Sequence, residues 1–90
     1  NVPQVFSVNK IYPNPFNPIT SISYDVPSNM SLKLVVIDLN GRELEELTNK
    51  FHLNGNYVAS WDASSYPSGL YFINLYSDNY ISSNKVLLLK

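Results

Sequence analysis

For acid–base, nucleophilic or metal chemistry the chain offers one histidine, seven carboxylates and no cysteine. A hydrolytic triad needs a histidine oriented by an acid beside a nucleophile. His52 stands in a stretch that reads as a polar loop beside Lys50 and Phe51, and no G-x-S-x-G elbow occurs anywhere. It reads as a solvated loop histidine. A zinc centre needs about four nitrogen or sulfur ligands, which one histidine without cysteine cannot supply. Asp38-Leu39-Asn40-Gly41 has the look of an opening calcium loop, but an EF-hand sets its glycine two positions later and closes on a glutamate. Asn29-Met30-Ser31 fits the N-glycosylation pattern, which chance supplies often. The residues predict no catalysis, no cofactor and no metal site.

Charge points the same way. Six Lys/Arg stand against seven Asp/Glu, and the cations Lys10, Lys33, Arg42, Lys50, Lys85 and Lys90 are scattered. Phosphate neutralisation calls for a basic stripe, so nucleic acid is excluded as a partner. Trp61 and the seven tyrosines could form a sugar-stacking platform, which would make the domain a carbohydrate-binding accessory module. Trp61, Tyr24 and Tyr71 fall on the inward faces of their segments, however, which favours the core; Tyr12, Tyr66, Tyr76 and Tyr80 are not placed by the pattern.

The elements that would position these groups are short and extended. Ninety residues make one domain, and without disulfides its 44% apolar residues must build the core alone. Turn chemistry divides the chain into about seven runs. Phe6 to Ile11 alternates weakly; Ile19 to Val26 places Ile22, Tyr24 and Val26 on one face; Leu32 to Leu39 places Leu32, Leu34 and Val36 inward. Asn40-Gly41 predicts a two-residue hairpin, because both positions tolerate positive φ, returning through Arg42 to Leu47 with Leu44 inside. Glu43-Leu44-Glu45-Glu46-Leu47 has helix propensity but is too short to stand alone, so it is assigned to strand. After Asn54-Gly55-Asn56, Tyr57, Ala59 and Trp61 share a face. Gly69 to Tyr76 reads as a central strand with Tyr71, Ile73 and Leu75 inward, Asp78-Asn79 turns the chain, and Tyr80 to Lys90 closes it. Turn signals every 8–12 residues or so predict an all-β, immunoglobulin-like antiparallel sandwich of about seven strands.

Three segments stand out. In Tyr12-Pro13-Asn14-Pro15-Phe16-Asn17-Pro18 the prolines exclude both helix and central strand. In Pro67-Ser68-Gly69-Leu70-Tyr71-Phe72, Gly69 permits a tight turn into an aromatic strand. Lys85-Val86-Leu87-Leu88-Leu89-Lys90 is an apolar strand running to the last residue with a basic tip, where chain ends normally fray.

In this order the three segments resemble the type A C-terminal sorting domain of proteins exported by type IX secretion, and the related Ig-like domain of the flagellar hook-capping protein. The likeness runs from about Val8 to Lys90. It includes Asp38-Leu39-Asn40-Gly41-Arg42-Glu43 and Trp61-Asp62, and departs from many relatives only in a short Trp-to-Gly connection. It implies a domain over residues 8–90 behind a linker, residues 1–7, from a covalently fused upstream cargo whose parent carries the inner-membrane export signal. It further implies recognition by an outer-membrane translocon and shuttle barrel, and removal by a cell-surface sortase-like protease or retention at the surface. The cargo is then secreted or displayed by way of the periplasm and outer membrane. The residues expected to be recognised are Pro13, Asn14, Pro15, Gly69, Tyr71, Lys85, Val86 and Lys90. The alternative is a passive Ig-like spacer or carbohydrate-binding appendage of an extracellular hydrolase.

Overall fold

Period-two burial organises the chain. In the computed structural model, which describes residues 7–78 and 80–90, seven strands form: β1 Ser7–Tyr12, β2 Ile19–Val26, β3 Met30–Ile37, β4 Glu43–His52, β5 Gly55–Asp62, β6 Gly69–Ser77 and β7 Tyr80–Leu88. They pair antiparallel into a three-stranded sheet, β1-β2-β5, and a four-stranded sheet, β4-β3-β6-β7. Ile22, Tyr24 and Val26 face Leu32, Leu34, Val36, Ile73, Leu75 and Leu88 across the sandwich, with Trp61 fully buried among them. This is the expected core. Tyr71 donates from its hydroxyl to the Pro67 carbonyl at 2.5 Å, a tyrosine corner of the kind that pins the start of the corresponding strand in immunoglobulin-like folds.

Three local expectations need correction. The β3–β4 connection is a three-residue loop: Gly41 N–H donates to the Asp38 carbonyl (3.1 Å) and Asp38 N–H to Arg42 (3.0 Å). Only Gly41 has positive φ, +84°. The Asp38 carboxylate accepts the N–H groups of Asn40 and Arg42, which holds Asn40 in ordinary backbone geometry.

β4 also runs beyond Leu47 to His52. Its Leu44 and Leu47 are three apart, a spacing a plain strand cannot put on one face. Register shifts opposite Leu34/Val35 and Val36/Ile37 absorb the mismatch, and both leucines pack against the core. His52, at the end of this strand, is 1% exposed and not in a solvated loop. Its Nε2 lies 2.9 Å from the Tyr24 hydroxyl, its Nδ1 lies 2.9 Å from the Lys50 carbonyl, and its ring meets Tyr57 edge-on. Tyr24 reaches it from β2, 28 residues away in sequence, and Tyr57 from the next strand, β5. Phe6, Asn79 and residues 1–5, on which parts of the first strand, the last turn and the linker were placed, lie outside the described residues.

Candidate recognition site

Strand polarity decides what meets what. Antiparallel order gathers the end of β1, the start of β2, the ends of β3 and β5, the starts of β4 and β6 and the end of β7 at one pole of a body 43 Å long. The start of β1, where the preceding chain joins, lies at the other pole. All three segments singled out in the sequence converge at the first.

The proline-rich segment wraps onto the free edge of β7. Phe16 forms an isolated parallel bridge with Leu88: its N–H donates to the Leu87 carbonyl and its carbonyl accepts from Leu89 N–H, both at 3.0 Å. One step earlier the Asn14 carboxamide takes the place of a peptide group. Its Nδ2 donates to the Lys85 carbonyl (3.3 Å), and its Oδ1 accepts from Leu87 N–H (3.1 Å). The edge of β7 is thereby closed from Lys85 to Leu89. Thr20, 1% exposed, donates from Oγ1 to the Pro13 carbonyl at 2.7 Å, and Ala63 N–H donates to Pro18 at 2.9 Å, which fixes the segment to β2 and the end of β5. Phe16 inserts its ring 5.4 Å from that of Trp61, which in turn meets Tyr71 edge-on at 5.4 Å.

The Pro67–Phe72 segment holds the end of β7 and Lys90. Gly69 is the register partner of Leu88. Lys90 N–H donates to Ser68 Oγ (3.0 Å), and the Lys90 ammonium donates to the Ser64 carbonyl (2.6 Å). Lys90 is therefore anchored, whereas the Lys85 ammonium has no hydrogen-bond or ion-pair partner among the described residues. The expected recognition residues thus divide by exposure. Pro13, Asn14, Pro15, Lys85 and Lys90 are exposed and Gly69 is half-buried, while Tyr71 and Val86 face the core and position the others.

Sequence reasoning did not foresee that the Asp38–Arg42 loop and the Tyr66–Tyr71 segment face each other. An open cleft of about 380 Å³ lies between them, lined among others by Leu39, Arg42, Leu44, Tyr66, Gly69 and Tyr71. Hydrogen bonds from Arg42 N–H, the Arg42 guanidinium and Asn40 N–H hold the Asp38 carboxyl below its ordinary range. Burial pushes the Tyr71 phenol up, with the Asp38 charge adding to it. The Tyr66 phenol is raised by burial and by Glu45, whose Oε1 accepts from both Tyr66 and the Trp61 indole. The two loops carry Asp-Leu-Asn-Gly-Arg and Ser-Gly-Leu-Tyr, so the signal was present as motifs but not as a contact. Among the described residues no group of three or more His, Asp or Glu is placed to hold a metal ion.

The model of the secretion system C-terminal sorting domain family matches residues 10–89, nearly the whole chain. The chain belongs to this family. It is a C-terminal sorting signal for type IX secretion, and its upstream cargo is exported to the cell surface or secreted through the outer membrane. The family is one of sorting signals, with no catalytic role indicated. No curated protein matches the chain.

Proposed function

We propose that the motif pole of this sorting domain is the face read by the outer-membrane translocon and its shuttle barrel, and that the domain itself performs no catalysis. Pro13, Asn14, Pro15 and Lys85 are the contact residues; Gly69, Tyr71, Val86 and Lys90 hold the last strand in the readable arrangement. Residues 1–7 link the domain to its cargo, and a cell-surface sortase-like protease releases the cargo there after transit. One observation carries this reading: three segments separated by as many as 71 residues in sequence meet around β7, at the pole opposite the one where the cargo joins. Such an arrangement presents the signal away from a folded cargo, whatever that cargo is.

The test is export of a fused reporter in a host with a working type IX apparatus. A bulky tag after Lys90, or Lys85→Glu with Lys90→Glu, blocks export while the melting temperature barely moves. Reporter secretion that survives both changes reduces the domain to a passive spacer.

A further inference from the structure

The outer face of the four-stranded sheet is unpartnered; it carries Lys33, Asn74 and Ser83 along its length, yet its end at the close of β7 is not built as a water-facing surface. Leu87 and Leu89 alternate with the core residues Val86 and Leu88, so the end of β7 is apolar on both sides. A strand with that pattern is ordinarily covered on both faces. Leu89 is 52% exposed and Ile81, on the same face, is 60% exposed. Beside them, Ile37 and Leu70 are only half-buried.

The register supplies the chemistry of what covers this face. Glu43 pairs with Ile37, Ile37 with Phe72, and Phe72 with Lys85. One outward row therefore crosses the sheet as acid, apolar, apolar, base. A two-fold axis running along the strands between β3 and β6 lays β7 of one molecule over β4 of another. It sets Lys85 opposite the second copy's Glu43, and Phe72 opposite the second copy's Ile37, twice by symmetry. Two sheets stacked about 10 Å apart with strands within roughly 30° of each other adopt this kind of alignment. A two-fold axis across the strands would put β7 over β7, whose residues Tyr80–Leu88 include no acid to meet Lys85.

We propose that this face is a self-complementary docking surface for a second copy of the chain. Four strands about 4.8 Å apart and four outward rows about 6.8 Å apart give a face of roughly 500 Å² per copy. The total of about 1,000 Å² sits at the lower bound for specific association, so the dimer is weak and reversible. Its charged row lies at the motif-pole end of the sheet and shares Lys85 with the proposed recognition face, but self-association of the isolated chain is measured independently of how the sorting signal is read.

Sedimentation equilibrium of the 90-residue chain tests it, without reference to export. The expected result is a monomer–dimer equilibrium with Kd on the order of 10–100 µM. Lys85→Glu weakens it about tenfold or more, and so does Glu43→Lys, because two facing pairs become repulsive at once. Lys33, which bridges Glu43 at 3.5 Å, retains Glu46 at 3.8 Å in the second variant. The double variant Glu43→Lys/Lys85→Glu restores dimerisation, and Phe72→Ser abolishes it. Far-UV spectra and melting curves confirm that each variant is folded; should Phe72→Ser fail to fold, the charge reversal and its rescue decide alone. A chain that stays monomeric near 1 mM overturns the proposal and leaves the face to a different partner. A dimer indifferent to both single reversals, or one the double variant does not restore, overturns the arrangement as well.

Discussion

Replacing Asn14 with alanine removes the side chain that stands in for a peptide group at the edge of β7. Two hydrogen bonds are lost, to the Lys85 carbonyl and from the Leu87 N–H. Each such bond contributes about 0.5–1.5 kcal/mol net, and both lie in exposed surroundings where water replaces the lost partner. The low end applies, so the expected cost is about 1 kcal/mol. For a domain of this size that is a fall of roughly 4–8 °C in Tm. Against a usual stability of about 5–15 kcal/mol the fold survives. The diagnostic measurement is amide exchange resolved by residue. Leu87 N–H loses protection in the variant, whereas Leu89 N–H, held by the Phe16 carbonyl, keeps most of it. If Leu87 exchanges at the same rate in both proteins and Tm does not move, the carboxamide does not close this edge in solution. The case that the proline-rich segment positions the last strand then loses its main support.

Other perturbations have equally definite outcomes. Trp61→Ala, at a fully buried position in contact with Phe16, Tyr66 and Tyr71, costs about 3–5 kcal/mol by denaturant melt, and an unchanged midpoint would place the ring at the surface. Gly41→Ala costs about 1 kcal/mol through its φ of +84° alone, since an added Cβ meets nothing within 4 Å; a loss of several kcal/mol in thermal melts would contradict that. Asp38 and Asp62, the latter held low by the hydroxyl and N–H of Ser64, stabilise the fold above the ordinary carboxylate range. That contribution disappears as pH falls below about 4, so Asp38→Asn and Asp62→Asn flatten the acid limb of a stability–pH curve. Tyr24 and Tyr71, both raised by burial, act in the opposite sense. Their contribution is complete below about pH 10 and lost as pH rises further, and Tyr71→Phe removes its part of the alkaline limb.

Much of the fold was legible in sequence because burial in a sandwich is written with period two. Ile22, Tyr24 and Val26, then Leu32, Leu34 and Val36, then Tyr71, Ile73 and Leu75 could be assigned inward from alternation alone. The missing cysteine and the single histidine bounded the chemistry in the same local way, and Tyr-Pro-Asn-Pro-Phe-Asn-Pro carried the family. The failures occurred where local pattern and long-range pairing disagree. Leu44 and Leu47 have a spacing that suits a helix, and only pairing with β3, through two register shifts, admits both to the core from a strand. Asn40-Gly41 read as a two-residue turn because the carboxylate of Asp38, which recruits a third residue into the loop, is invisible to dipeptide rules. His52 looked solvated because Tyr24 and Tyr57, which cover it, are brought there by two other strands. Phe16 and Asn14 were recognisable as part of a motif, but nothing local says that one fills the core beside Trp61 or that the other completes the edge of β7. Those contacts span about 45 and about 70 residues, and a contact at such a separation exists only after the strands have chosen their order. The sequence by itself determined which residues turn inward and which ligand and nucleophile types the chain has to offer; the order of strands in two sheets decided which motifs share a pole.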